Sequence, residues 1–218
     1  MNQLENFGFK EKKILDFGTK VFIIFAVVVF SLYLLTINMI SFVIVDGSSM
    51  ENTFFDGDIV VENTFLSPKR GDVVIIKTTK QDYFSGEEVS QLIIKRIIAV
   101  EGDELYFYNG KVWLKESGQT EFKALQEEYT KSPASTFYPD VANENSYHQS
   151  EIIKIEKGCY YFLGDNRKNS HDSRSNDYGC CKASDITGVV TNFAINNKEA
   201  TKALFLFSQK VYEFLGFN

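Results

Sequence analysis

The sequence has little positive charge, and this scarcity narrows the range of functions. The 218 residues include 23 Lys and Arg against 29 Asp and Glu, a net charge of −6, and no Lys/Arg run exceeds two residues. A nucleic-acid-binding face needs clustered positive charge, so a nucleic-acid partner is excluded. With 44% hydrophobic and 15% aromatic residues, the chain is apolar enough to fold around a core.

Cysteines are also few, and their spacing argues against a metal site. Cys159, Cys180 and Cys181 show no CxxC pattern, and a Cys/His site that uses His171 is disfavoured. A disulfide from Cys159 to Cys180 or Cys181 would close a loop around residues 160–179, and inert thiols are the other interpretation. We therefore expect no metal and no other cofactor.

The chain contains one long hydrophobic run. Residues 21–37 carry no charge, and apolar residues continue through Ile40. At 1.5 Å per residue, this run covers a bilayer core of ~30 Å. A helix buried in a soluble core would show polar periodicity over such a length. The run therefore predicts a transmembrane anchor at 20–40, preceded by a tail at 1–19.

The charges that flank this run predict its orientation. Lysines precede the run, whereas no Lys or Arg follows it until Lys69. The positive-inside rule then places the tail 1–19 in the cytoplasm and the remainder outside it, as a single-pass protein of the cell membrane. The bulky segment NMISFVIV that follows has no small-x-small cleavage site, so the helix is interpreted as a retained anchor rather than a removable signal peptide.

The rest of the chain predicts a mainly β fold: an extracytoplasmic domain at 41–195 with an antiparallel, barrel-like sheet. Short apolar runs alternate with turn signals, and Asn109-Gly110 predicts a hairpin between LYFY and KVWL. We assign the core of this domain to 41–100 and 158–195, the two stretches that also carry the candidate catalytic residues discussed below.

Two further segments lie outside this predicted core. Residues 101–157 are assigned to a small inserted cap, with a helical piece around 122–129. The tail 196–218 is amphipathic, and it is expected either to lie on a membrane surface or to pack on the domain.

Ser49, in the segment DGSSM, is a candidate nucleophile, but a serine needs a base to accept its proton. His148 lies in the predicted insertion and His171 in a charged loop, where histidines are more often solvated than catalytic. A GxS segment that follows a strand also lacks the strand–turn–helix context of the α/β-hydrolase elbow. The histidines are therefore weak candidates for the base.

Lysine is the other candidate base, provided that desolvation lowers its pKa toward 7. In the strand IIKRII, side chains alternate, so Lys95 is expected among isoleucines while Arg96 points the opposite way and can seek a carboxylate. The alternative is that both residues decorate an edge strand.

Taken in order, the motifs GSSM, FDGD, KRGDVV, IIKRIIAVEGD and GDNRKNSHDSR resemble those of the type I signal peptidases. This membrane-bound Ser/Lys leader peptidase family removes signal peptides from exported proteins. The resemblance extends from the anchor to about Val190. It implies that Ser49 is the nucleophile and Lys95 the general base.

The resemblance also implies supporting roles within the last motif. Ser170 would hydrogen-bond the Lys95 amine, and Asp165 would pair with Arg96. Asp172 and Arg174 would be structural.

An acyl-transfer reaction also requires an oxyanion hole. The backbone N–H of Ser49 is the natural donor, and Gly47 permits a close backbone approach beside it while offering no hydroxyl.

The substrate class follows from the same resemblance and from geometry. Ser49 lies about twelve residues past the anchor, at most ~40 Å away, and so must stay near the outer membrane surface. The segment SFVIV is a candidate groove strand for an extended substrate, and the resemblance implies small residues at the −1 and −3 positions. The implied partners are preprotein signal peptides, the lipid bilayer and the secretion translocon.

Three positions depart from the family pattern. Asn52 stands where SMxPT has proline, Glu101 replaces the proline of PGD, and Lys168 replaces an acidic residue. The first departure supports an alternative, a dedicated processing peptidase for a narrow substrate set such as pilus subunits. A second alternative is an inactive membrane-tethered assembly or binding protein, which the retention of both Ser49 and Lys95 opposes.

Overall fold

The computed structural model describes residues 2–81, 88–130, 150–175, 178–214 and 216. It divides into two units, residues 1–40 and 41–218, which are described separately. The first unit is the helix α1 (Asn2–Met39). Within the described residues, α1 is the one helix long and apolar enough to cross a membrane, over Asp16–Tyr33, and none of that window is buried.

The second unit is built on two β-sheets, so the predicted mainly β fold is confirmed. The larger sheet has seven strands in the order β1-β2-β11-β3-β4-β9-β10, and the smaller has four in the order β7-β6-β5-β8. The strands of the larger sheet are β1 (Ile40–Ile44), β2 (Ile59–Asn63), β3 (Val73–Gln81), β4 (Glu88–Val100), β9 (Cys159–Leu163), β10 (Cys181–Lys182) and β11 (Ile186–Val190). Those of the smaller are β5 (Glu104–Tyr108), β6 (Lys111–Lys115), β7 (Lys123–Ala124) and β8 (Ile153–Lys154).

The hairpin predicted at Asn109-Gly110 is confirmed. These two residues join β5 to β6, which pair antiparallel. Both have positive φ, 49° and 68°, the conformation that a two-residue hairpin turn requires and that Asn and Gly adopt readily.

The helical piece predicted around 122–129 is wrong. The segment contains the two-residue strand β7 followed by turns. β7 pairs with β6, with Trp113 opposite Ala124 and Leu114 opposite Lys123. Sheet pairing thus outweighs the local helix preference of this polar stretch.

β4 is a central strand, so the edge-strand alternative for Lys95 and Arg96 is wrong. Val74 of β3 lies opposite Lys95 on one side, and Leu163 of β9 lies opposite Arg96 on the other. Lys95 and Arg96 project from opposite faces of β4, and both are buried, so both faces are covered at this point and two basic residues lie inside the domain.

The C-terminal segment forms α2 (Asn192–Asn196) and α3 (Lys198–Phe214). One face of α3 packs on the sheet of its own unit: Thr201 is fully buried, and the ring of Phe205 lies 5.6 Å from that of Phe42 in β1. Lys198 donates a hydrogen bond to Asp58 at 2.6 Å. A second face is exposed and apolar, and we call it the outer stripe of α3: Ala200, Leu204, Phe207, Val211 and Phe214.

Candidate active site

The candidate nucleophile lies in a turn that the core holds in place. Ser49 follows β1 and precedes Met50, which is 0% exposed and packs in a core cluster with Phe54. The backbone N–H groups of Thr53 and Phe54 both donate to the Met50 carbonyl, at 3.0 and 2.8 Å. A buried methionine and a compact turn therefore fix the backbone that presents Ser49.

The candidate base approaches this serine from β4. Lys95 is 4% exposed, and its Nζ donates to Ser49 Oγ at 2.7 Å and to the carbonyl of Ile94 at 2.9 Å. Side chains that are 46 positions apart in the sequence thus meet in a direct hydrogen bond.

Burial changes the protonation of this lysine. Desolvation lowers the pKa of Lys95 to about 8, and the nearby negative charges of Asp172 and Asp165 oppose the shift. With that pKa, roughly a tenth of the Lys95 side chains are neutral at pH 7 and half at pH 8. The amine is therefore available as a proton acceptor near physiological pH.

Arg96 points away from Lys95 and meets a buried carboxylate. Its Nε and Nη2 donate to the two oxygens of Asp165 at 2.8 and 2.6 Å, and its Nη1 donates to the Gly71 carbonyl at 2.8 Å. The hydroxyl of Thr53 also donates to Asp165. The contact expected between Arg96 and Asp165 is present, and it ties β4 to the segment after β9 and to the turn that follows Ser49.

A second buried ion pair shapes the segment 164–174. Arg174 donates to both oxygens of Asp172 at 2.8 and 2.9 Å, and the Gly164 backbone N–H donates to Asp172 at 3.0 Å. Burial alone would raise the pKa of Asp172, but these donors outweigh it and the pKa is lowered. Asp172 and Arg174 therefore brace this segment as a charged pair.

The same segment touches the Ser49 turn through residues that the sequence reasoning missed. Asn166 donates its backbone N–H to the Ser49 carbonyl and its side-chain amide to the Ser48 carbonyl, both at 3.0 Å. Asn169 donates to the Ser48 hydroxyl at 2.7 Å. The asparagines of GDNRKNS were the available signal, because buried turns often use such amides to satisfy backbone carbonyls.

Gly164 lets the segment 164–174 approach the turn that carries Ser49 closely. A Cβ atom built on it would lie 2.5 Å from the Ser49 carbonyl oxygen and would also overlap the Ser170 side chain. Any other residue would push the segment 164–174 away from the turn that carries Ser49.

The two predicted oxyanion residues differ in their structural surroundings. The Gly47 backbone N–H donates to Asp56 at 2.8 Å, so it is already engaged. Within the described residues, no acceptor takes a hydrogen bond from the Ser49 backbone N–H. As a donor, Gly47 is therefore a poor fit in this conformation, whereas the Ser49 amide is available.

Ser49 and Lys95 open onto a cleft of about 390 Å³. Residues 43–45 line one wall and residues 91–95 line the other, with His171 and Tyr178 also at its surface. Three strands separate β1 from β4 in the sheet order. Because both nevertheless line one cleft, the larger sheet curls, as a barrel-like sheet would.

Comparisons with known proteins identify the family. A sequence profile described as signal peptidase, peptidase S26 matches residues 16–194. The chain belongs to this signal peptidase family. The match covers most of the chain, so the resemblance seen in the sequence motifs is confirmed.

Individual signal peptidases are also similar to this chain. Signal peptidase I P of Bacillus subtilis subsp. natto is 32% identical over 158 residues, 67% of this chain and 72% of that protein. Signal peptidase I of Streptococcus pneumoniae serotype 4 is 29% identical over 166 residues, covering 66% and 76%. A crystal structure of signal peptidase I from Enterococcus faecalis V583 is 24% identical, with a TM-score of 0.39, and the match covers 58% of this chain and 98% of that one.

The hydrogen bond expected within the family between Ser170 and the lysine is not formed in this structure. The Lys95 amine donates to Ser49 and to the Ile94 carbonyl instead. The Ser170 hydroxyl is buried and has no hydrogen-bond partner of normal geometry among the described residues, although its proximity helps to lower the pKa of Asp172. Ser170 therefore lies against the Asp172 side of the site.

The departures from the signal peptidase pattern have local structural counterparts. Asn52 has a φ of 98°, which proline cannot adopt because its ring fixes φ near −65°. Glu101 accepts a hydrogen bond from the Gly158 backbone at 2.9 Å, and Lys168 is exposed. Asn52 is thus the departure closest to the candidate nucleophile.

The other candidate groups named from the sequence are the two histidines and the three cysteines. His148 is outside the described residues, and His171 contacts Ser175 at 2.7 Å. All three cysteines are free, and burial raises the pKa of Cys181 to about 12. No group of three or more His, Cys, Asp or Glu residues in the described part of the chain is arranged to hold a metal ion.

Proposed function

We propose that this signal peptidase family member is a membrane-bound serine endopeptidase that removes N-terminal signal peptides from exported preproteins after small-x-small sites. Ser49 is the nucleophile and Lys95 the general base. The observation that carries this proposal is the 2.7 Å contact between Lys95 Nζ and Ser49 Oγ, made by a buried amine whose pKa is lowered to about 8.

The proton moves through Lys95 in both halves of the reaction. The neutral amine accepts the Ser49 proton as Oγ bonds to the peptide carbonyl carbon, and the resulting ammonium then protonates the leaving amine as the C–N bond breaks. The amine next accepts a proton from water as the water oxygen attacks the ester carbon. Lys95 then returns this proton to Ser49 Oγ as the C–O bond breaks and the signal peptide is released. The bond from Lys95 to the Ile94 carbonyl supports this role, because it holds the amine beside Ser49 Oγ. Once the amine is neutral, its lone pair can accept the Ser49 proton.

The oxyanion that forms in each half needs a fixed donor. We assign this role to the Ser49 backbone N–H, for which no acceptor is found among the described residues. Gly47 would contribute space beside it, because its own N–H is held by Asp56.

The proposed topology is a single span with the N-terminus in the cytoplasm and residues 41–195 outside. It rests on the apolar window of α1 and on the lysines that precede it. Signal peptides and the lipid bilayer are the proposed partners. Contact with the translocon stays a prediction of the sequence.

The function can be tested with purified full-length protein and a preprotein that carries an Ala-x-Ala site. We expect cleavage after the second alanine, read as a new N-terminus by mass spectrometry. The matched control is the same preprotein with phenylalanine at −1 and −3, which we expect to remain intact. Cleavage of both substrates would contradict the proposed specificity, and cleavage of neither would favour the inactive scaffold.

The outer stripe of α3 is proposed to contact lipid. Its apolar residues recur at steps of four and three positions, which aligns them along one side of a helix. The opposite face is fixed to β1 by the Phe42–Phe205 contact, and Phe42 comes only three residues after α1 ends. If α1 spans a bilayer, Phe42 is therefore within about 11 Å of its end. A membrane is then the closest apolar phase available to the stripe.

Quenching by brominated lipids tests this contact. Phe207 is 67% exposed in the stripe, and Gln209 lies about 200° around the helix from it. In proteoliposomes, we expect strong quenching of tryptophan fluorescence in Phe207→Trp and weak quenching in Gln209→Trp. The wild type supplies the background, because Trp113 is its single tryptophan. Equal quenching in both variants, with α1 inserted as judged by flotation, would contradict the proposal.

A further inference from the structure

We propose that Tyr129, from the predicted insertion, is a positioning residue that holds Ser49 and Lys95 in register. Its carbonyl accepts a hydrogen bond from Asn52, three residues after Ser49, at 3.1 Å. Its ring centroid lies 4.0 Å from the guanidinium carbon of Arg96, the residue directly after Lys95. One residue thus touches a close neighbour of each reacting group. The inference deepens the proposed function and rests on it.

The contact with Asn52 depends on an unusual backbone conformation. Asn52 has a φ of 98°, a region that few residues other than glycine adopt and that asparagine tolerates better than most. In this conformation its side-chain amide reaches the Tyr129 carbonyl. Asparagine in place of the family's proline therefore provides a bond from the nucleophile turn to the insertion, which proline has no donor to form.

Tyr129 also contacts Arg96, on the side of the site that β4 forms. Arg96 is bound through its edge to Asp165, and the Tyr129 ring covers its guanidinium. The ring therefore restricts the guanidinium in a direction that the carboxylate does not control.

The tyrosine itself is held firmly enough to act in this way. Its hydroxyl donates to Glu127 at 3.0 Å, and Glu127 accepts from buried Arg167 at 3.0 Å. Arg167 in turn donates to the Gly164 carbonyl at 2.9 Å, in the segment that contacts the Ser49 turn. Burial raises the pKa of Tyr129, so the ring stays neutral. The insertion is thus linked to three separate parts of the active site.

Loss of the ring should change both geometry and electrostatics. A displaced Arg96 would neutralise Asp165 less completely, and the negative charge of Asp165 favours the protonated form of Lys95. The pH at which Lys95 becomes neutral would then rise. A shift of Ser49 relative to Lys95 of only about 1 Å can lower the rate up to 10²-fold.

The test compares Tyr129→Leu, Tyr129→Phe and Asn52→Gly in full-length protein. We expect Tyr129→Leu to lower kcat by about 10- to 100-fold, with KM changed by less than about twofold. The acid limb of its pH profile should move to higher pH. Tyr129→Phe retains the ring and should keep kcat within about threefold. Asn52→Gly preserves the positive φ but removes the bond to Tyr129, and it should lower kcat by about tenfold.

Tyr108→Leu is the matched control, because Tyr108 is an exposed tyrosine at the end of β5 and does not line the cleft. It should leave kcat and the pH profile unchanged. An unchanged kcat and pH profile in Tyr129→Leu would overturn the proposal, as would equal losses in the Leu and Phe variants. Should Tyr129→Leu fail to fold, an unchanged kcat in Asn52→Gly overturns it alone. If the wild type cleaves in the same assay, such a failure leaves the proposed function intact.

Discussion

Replacing Lys95 with methionine is expected to reduce cleavage of an Ala-x-Ala preprotein by about 10⁴-fold or more. Methionine fills a similar volume but cannot accept the Ser49 proton. The variant therefore lacks the amine that lies 2.7 Å from Ser49 Oγ and acts as the proposed general base. Ser49→Ala should be equally inactive, and the double variant should be no worse, because the two side chains act as one unit. Lys77→Met, on an exposed position of β3, is the matched control and should retain wild-type activity.

The lowered pKa of Lys95 leads to two further predictions, one for the pH dependence of activity and one for that of stability. Because Lys95 must be neutral, kcat/KM of the wild type should rise with pH through about 8. Below that pH, the folded state holds a charged lysine that the unfolded state would hydrate, a penalty of about 3 kcal/mol for a shift from 10.5 to about 8. The penalty fades as pH rises from 8 toward 10.5.

Lys95→Met removes this penalty, so it should melt at a higher temperature than the wild type at pH 7, with the difference shrinking above pH 9. Thermal unfolding in detergent across this pH range measures the effect. Substantial cleavage by Lys95→Met would contradict the proposal that Lys95 is the general base. An acid limb far below pH 8 in the wild type would contradict the lysine as the titrating group.

Asp165→Ala is expected to destabilise the second unit by about 3–5 kcal/mol. Asp165 is 0% exposed and binds Arg96 through two hydrogen bonds. Without the carboxylate, a guanidinium that is 8% exposed would remain buried with its charge uncompensated. Activity should fall as well, because Arg96 adjoins Lys95 and Thr53 loses its acceptor in the turn after Ser49.

Thermal unfolding of Asp165→Ala, Arg96→Met and the double variant measures how much this ion pair contributes to stability. The double variant should be more stable than Asp165→Ala, because it removes the unmatched charge together with its partner. Glu104→Ala breaks the partly exposed ion pair with Lys115 and serves as control; its melting temperature should stay near that of the wild type. Equal melting temperatures for Asp165→Ala and the control would contradict the buried-pair argument.

The sequence predicted those parts of the site that depend on local pattern. Strand alternation separated Lys95 from Arg96, and the structure directs one to Ser49 and the other to Asp165. The Asn109-Gly110 turn likewise predicted its hairpin. In these cases the deciding forces act between residues close in sequence or through a strict two-residue period.

Contacts set by tertiary packing could not be predicted. The sequence shows Asn52 in place of the proline of the family pattern. Its positive φ and its hydrogen bond to Tyr129 depend on a segment 77 positions away. The Asp56 carboxylate accepts a hydrogen bond from the Gly47 backbone N–H, because the turns between them bring the two residues together. Ser170 lies close enough to Asp172 to help lower the pKa of that carboxyl, and the Lys95 amine donates to Ser49 and Ile94 instead. A short polar side chain has several possible hydrogen-bond partners, and the folded backbone determines which of them lies within reach.

Among the strands that the structure describes, β1 is at one edge of the larger sheet, next to β2, and it borders the cleft beside Ser49. A peptide laid along such a strand adopts its pleat, so every second side chain turns toward the cleft wall and those between turn away. The proposed preference for small residues at −1 and −3, with freedom at −2, would then follow from pleat geometry alone rather than from two independent binding events. A shift of the bound chain by one residue would exchange the two sets and present the wrong side chains to the wall.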